Sequence, residues 1–125
     1  MDESLFGYRK LVVYQHSRRY VKTLYLLMKK FPPEEKYGLC DQIRRAAVSI
    51  TSNIAEGMGR LSEKDKLHFI EFAFGSLYET MSQIEIALDL EYITTEEYNY
   101  NDVESQVTQI AKMLSGLRKT YLNRI

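Results

Sequence analysis

The chain has 125 residues, 45% hydrophobic and 27% charged, and its 17 basic and 17 acidic side chains leave a formal net charge of zero. That length fits one domain, 1–125, with a modest core close to the size where oligomerisation adds useful burial; the composition excludes disorder, and neutrality weighs against a protein spread along phosphate backbones. The polar start MDESLFGYRK and the short apolar runs predict neither a secretory leader nor a membrane span, and the single cysteine, Cys40, predicts a buried thiol in a reducing cytoplasm rather than a disulfide.

Four helical segments are expected, with no strand signal between them. The first, about 8–30, sets Tyr14, Ser17, Val21, Leu24, Met28 and Phe31 at alternating spacings of three and four. Phe31-Pro32-Pro33 ends it, because a residue before proline is pushed out of the α region. Glu34 and Glu35 open the second helix, where negative charge complements the dipole, and Gly57 and Gly59 mark its exit near Met58. Ser62 with Asp65 gives the third a capping-box-like start, and Leu67, Ile70, Phe74, Leu77, Met81, Ile84 and Leu88 carry it to about Glu91. Thr94 with Glu97 makes a second capping box. From there one helix is expected to run to the C-terminus on Tyr100, Val103, Val107, Ile110, Leu114, Leu117 and Tyr121. Short joints between long helices force antiparallel neighbours. The expected fold is therefore all-α, an antiparallel up-down-up-down four-helix bundle.

The first and third helices carry more apolar residues than one stripe needs. Phe69, Phe72, Ala73, Ala87 and Leu90 fall outside the heptad seam of the third, and Leu11, Val12, Val13, Tyr20, Tyr25 and Leu27 lie on more than one side of the first. One four-helix core does not cover them all, and a large exposed apolar patch marks an interface, so the chain is expected to bind copies of itself.

The second helix carries two adjacent stripes of different chemistry. Leu39, Ile43, Ala46, Ile50 and Ile54 form an apolar one; beside it run Arg45, Ser49, Asn53 and Glu56, spaced four, four and three apart. Polar groups so near a core are costly unless each finds a partner. Glu56 would face Glu79 or Glu71 of the third helix, and paired carboxylates can shift a pKa for acid–base work. Arg45, Arg60, Ser49, Asn53 and Ser76 are at hand to bond those carboxylates. The set Arg45, Ser49, Asn53, Glu56, Arg60, Ser76 and Glu79 thus reads as a polar cluster that fixes register.

Other chemistry lacks its residues. Carboxylate-bridged iron needs two Glu-x-x-His pairs, and the chain offers one imperfect copy, Asp65-Lys66-Leu67-His68, with Val13 three residues before His16. The Glu56-Gly57-Met58-Gly59-Arg60 turn follows a helix and has no Gly-Lys-Ser/Thr, so no phosphate loop is read there. Ser49 has no histidine at a readable spacing. No catalytic residue, metal, cofactor or small-molecule substrate is expected, and the chain is read as not an enzyme.

Charge is segregated along the chain. Between Ser4 and Pro33 there are seven basic residues and no acid; between Glu85 and Glu104 there are seven acids and no base. Antiparallel packing would collect Arg9, Lys10, Arg60, Lys64, Lys66, Arg118, Lys119 and Arg124 at one end, leaving the other acidic. In a ring of parallel subunits those basic ends share a rim able to attract RNA or DNA.

The segments RRAAVSITSNIAEGMGR (44–60) and FIEFAFGSLYET (69–80), with LVVYQHS (11–17), the joint FPPEEKYGL (31–39) and KML-x-GL (112–117), resemble the bacterial four helix bundle protein family, also called 23S rRNA-intervening-sequence proteins. The likeness extends over nearly the whole chain. That family is named for where its genes were found, and it is similar in fold to accessory proteins of diversity-generating retroelements, which form pentameric barrels that bind nucleic acid. The resemblance implies a four-helix bundle assembled as a cyclic homo-pentamer. Together with the charge pattern, it leads to a non-enzymatic, self-assembling nucleic-acid or ribonucleoprotein adaptor; the alternative is an oligomeric protein scaffold without nucleic acid.

Overall fold

The computed structural model describes residues 3–125, with side chains from Leu5 onward; Met1 and Asp2 of the expected 1–125 domain lie outside the described residues. Every regular element among the described residues is helical. A 3₁₀ segment, Glu3–Lys10, leads into α1, Val12–Met28; a 3₁₀ turn, Pro33–Glu35, precedes α2, Leu39–Met58; then come α3, Glu63–Asp89, the short α4, Thr95–Tyr100, and α5, Val103–Arg124. Helix α1 packs on α2 and α5, and α3 packs on the same two, so the four long helices close a cycle α1-α2-α3-α5 around the core.

The apolar stripes meet at the centre of that cycle. Tyr20, Leu24 and Leu27 of α1, Ile43, Ile50 and Ile54 of α2, Ile70, Leu77 and Ile84 of α3, and Ile110 and Leu114 of α5 are all fully buried. Each large aliphatic side chain so placed contributes about 1.5–3 kcal/mol of hydrophobic free energy before entropy is counted. Gly57 permits a close approach of α2 to α3: a Cβ there would lie 2.9 Å from Cβ of Phe69 on α3. Both expected helix starts at Ser62 and Thr94 are present. Ser62 Oγ accepts from Asp65 N–H at 3.0 Å, and Thr94 and Glu97 complete a reciprocal capping box.

Several expectations are corrected by the packing. The first helix begins at Val12 rather than near Tyr8, because Leu11 is extended and Phe6 breaks the preceding turn. Residues six apart on a helix point some 120° apart; the edge-on contact of Tyr8 with Tyr14, 4.9 Å between ring centres, needs the chain to turn between them. The second helix starts at Leu39, not at Glu34. Glu35 is held outside it, Oε1 accepting from Leu39 N–H at 3.1 Å and Oε2 from the Tyr92 hydroxyl at 2.6 Å. That carboxylate ties the α1–α2 joint to the α3–α4 joint.

The fourth helix is two. Asp102 takes a left-handed conformation (φ 52, ψ 38), and the Asn101 side chain bonds the Glu97 carbonyl at 2.8 Å. Asn and Asp are the residues that tolerate such a break. Tyr100, just before the break, is 88% exposed, while Tyr98 on the same short helix is buried, as is Ile93 in the joint ahead of it. The apolar surplus is also smaller than expected: Val13, Tyr20 and Leu27 of α1 and Ala73 and Ala87 of α3 are buried inside the chain. A core-facing helix shows an apolar face wider than a coiled-coil seam, and these residues fill it. Val12, Tyr25, Phe72 and Leu90 stay exposed.

Candidate functional site

The polar row of α2 divides into three separate groups. At its centre the Asn53 amide donates to the carbonyl and to Oγ of Ser49, at 2.8 and 2.9 Å, and Ser49 Oγ lies 2.8 Å from Ser76 Oγ on α3. This half-buried trio satisfies itself across the α2–α3 seam and contains no group that titrates near neutrality. Arg45 turns outward and pairs with Asp41 at 3.1 Å. Glu56 pairs with Arg60 at 2.9 Å, and the Arg60 guanidinium lies over the Phe69 ring, 4.7 Å from its centre. Glu79 accepts from Gln83 on its own helix at 3.3 Å.

The seven residues of the expected cluster therefore do not form one network. Among the described residues no hydrogen bond or ion pair joins Glu56 to Glu79 or Glu71. Helical spacing alone put Arg45 and Glu56 beside Ser49 and Asn53, but their long side chains follow solvent and partners one turn away. Among the described residues the Ser49 hydroxyl bonds Asn53 and Ser76, neither of them a base. His68 stacks edge-on to Phe72, 4.5 Å between ring centres. No group of three or more histidines, cysteines or carboxylates among the described residues could hold a metal, and no helix is long and apolar enough to cross a membrane. Burial pushes the thiol of Cys40 up, away from thiolate reactivity.

Cross-helix contacts gather the expected basic end. Arg124 of α5 reaches Glu63 of α3 at 3.6 Å, Tyr121 donates to Met58 Sδ at 3.3 Å, and Lys66 donates to the Met58 carbonyl at 3.3 Å. Leu5, Phe6 and Tyr8 meet Arg60, Leu61 and Lys66 around a cleft of about 710 Å³. Arg9 lies over the Phe6 ring at 4.5 Å. So Arg9, Arg60, Lys66 and Arg124 are all engaged within the chain. Lys10 is exposed and also makes a contact of its own. Lys64, Arg118 and Lys119 are exposed, and no carboxylate pairs with them among the described residues. Tyr121 is buried, as its place in the apolar repeat of the last helix leads one to expect.

The acidic end is not purely acidic. Lys30, from the basic first helix, pairs with Glu97 at 2.8 Å. That ammonium, with the capping bond from Thr94 N–H, holds the Glu97 carboxyl below the usual range. Sequence reasoning missed the Glu35–Tyr92 link and the cleft under Phe6, since both depend on joints whose paths no periodicity encodes.

The family model for the 23S rRNA-intervening sequence protein matches residues 9–116. Among solved structures, the chain is similar to a protein of unknown function from the S23 ribosomal protein family of Bacteroides thetaiotaomicron VPI-5482. The two are 29% identical with a TM-score of 0.76, over 86% of this chain and 99% of the other. No functionally curated protein matches the chain.

Proposed function

The chain belongs to the 23S rRNA-intervening sequence protein family, and we propose that it works as a non-enzymatic, self-assembling adaptor: an antiparallel up-down-up-down bundle whose oligomer offers a basic rim to RNA or DNA. The alternation of direction is supported by contacts that run in opposite order along neighbours. On α2 and α3, Gly57 lies by Phe69 and Ser49 by Ser76. Around the α1–α5 side, Thr23 meets Gln106 while Tyr121 meets Met58 beyond the start of α1. Self-assembly is supported by the apolar side chains left on the surfaces of the long helices, Val12, Tyr25, Phe72, Tyr78 and Leu90 among them.

The observation that carries the nucleic-acid reading is the set Lys64, Arg118 and Lys119. They stand exposed at the end where Arg124 pairs with Glu63, and among the described residues no ion pair ties them to a carboxylate, although Glu71 shares a cleft with Arg118. Neutral total charge does not oppose this, because a phosphate backbone feels the local field of a rim rather than the sum over the chain. Replacing the three by Gln should weaken binding to a single-stranded RNA without changing the oligomer. The slope of log affinity against log salt should shrink by about 0.7 for each lost phosphate contact. Lys29→Gln, at the other end, should leave the slope unchanged. Absence of RNA and DNA binding at about 50 mM salt would refute this reading and favour the protein scaffold.

A further inference from the structure

One end of the bundle carries apolar side chains that the core does not use. Leu61 is 99% exposed, and Leu5 and Phe6 are exposed as well. They meet Ala55 and Met58, from the last turn of α2, around the cleft of about 710 Å³ at the basic end. That volume lies within the range of about 300–1,000 Å³ usual for small-molecule sites.

The cleft is lined from the N-terminal segment and from the α2–α3 joint. Phe6 belongs to the first, and its segment is fixed at the base. Tyr8 packs edge-on to Tyr14, the Tyr8 carbonyl accepts from Leu11 N–H at 3.1 Å, and the Arg9 carbonyl accepts from the Gln15 amide at 3.0 Å. Arg9, which does not line the cleft, lies over one face of the Phe6 ring and leaves the other face for an occupant. Arg60 belongs to the joint, its guanidinium steadied by Glu56 and by the Phe69 ring. A ring and a guanidinium plane are the two kinds of protein surface on which an unstacked nucleobase packs.

The charge agrees. Arg60 and Lys66 line the cleft and, among the described residues, no carboxylate does. Arg9 and Lys66 rest on neutral partners, a ring and the Met58 carbonyl, so each keeps its positive charge. Lys64, two residues before Lys66, is exposed.

We infer that this cleft holds one unstacked base of a single-stranded nucleic acid, with Phe6 and Arg60 as its stacking surfaces and Lys64 and Lys66 on the adjoining phosphates. The inference rests on the basic-rim reading above and narrows it to single strands. A duplex keeps its base faces stacked on one another and has none to offer Phe6. Stacking uses the face that every base has, so the site tolerates any sequence.

The test is binding of the full-length protein to a labelled oligouridylate, to a duplex of the same length and to polyphosphate, a polyanion without bases, by fluorescence anisotropy over a salt series. Wild type should bind the oligouridylate most tightly. Phe6 is 44% exposed and outside the core, so Phe6→Ala should keep the helical circular dichroism. It should weaken oligouridylate binding roughly 5- to 150-fold, the loss of one stacked base, and leave the salt slope and the binding of duplex and polyphosphate unchanged. Replacing Lys64, Arg118 and Lys119 by Gln should instead lower the slope for all three ligands. An oligouridylate carrying thiouridine, irradiated on the wild-type protein, should cross-link at Phe6, Tyr8 or Met58. Equal binding of single strand and duplex, an undiminished Phe6→Ala protein, or cross-links confined to other residues would overturn the cleft site, while a lowered slope in the rim variant would leave the rim standing. Absence of binding to every one of these ligands would overturn the rim reading itself and this inference with it.

Discussion

The hydroxyl pair Tyr20–Thr80 at the heart of the core gives an asymmetry that can be measured. Thr80 Oγ1 lies 2.6 Å from the Leu77 carbonyl, to which it alone can donate, so its hydrogen is committed. Tyr20 must then be the donor across the 2.9 Å contact to Thr80 Oγ1. Burial raises the Tyr20 pKa far above the usual tyrosine range, so the hydroxyl keeps its proton at any working pH. Both side chains are 0% exposed. Tyr20→Phe removes the donor and leaves Thr80 bonded to Leu77, a loss of about 1 kcal/mol, the net worth of one neutral hydrogen bond. Thr80→Val keeps the shape but strands the Tyr20 O–H in apolar surroundings, a loss of about 2–3 kcal/mol. The double variant has no orphan and should recover to about the Tyr20→Phe value, so its loss should fall short of the sum of the two single losses by roughly 2–3 kcal/mol. Urea unfolding of the four proteins, with unchanged m-values, reads this directly. Equal losses from the two single changes, or strictly additive ones, would refute the assigned donor.

Two further outcomes follow from the same bookkeeping. Ser17 is fully buried and its Oγ has no partner, so Ser17→Ala should match or exceed wild-type stability by up to about 1 kcal/mol in urea; a clear loss would reveal a partner for that hydroxyl. The Glu35 carboxyl is held below its usual range by the Tyr92 hydroxyl and then by Leu39 N–H, so its folded pKa is lower than its unfolded one. The stability it contributes is complete above the ordinary value of about 4.3 and is lost as pH falls through the folded one. The advantage of wild type over Glu35→Gln in thermal melts should therefore shrink from pH 7 to pH 3, and a difference independent of pH would refute the link.

The helices were legible where one period explained many residues. The stripe Ile43, Ala46, Ile50 and Ile54 is buried as the 3.6-residue spacing requires, and the caps at Ser62 and Thr94 are where their side chains can reach the third residue onward. What periodicity could not reveal was local competition. Asn101 and Asp102 sit within an apolar repeat that Val103 and Ile110 continue, yet a side-chain bond to Glu97 and a left-handed residue interrupt the backbone there. Glu35 looked like a first-turn acid, but its carboxylate does more for Leu39 and Tyr92 from outside the helix. The polar row failed in a similar way. Angular position places a Cβ, whereas the reach of Arg45 and Glu56 let each pair one turn along its own helix, leaving only Asn53, Ser49 and Ser76 together at the seam.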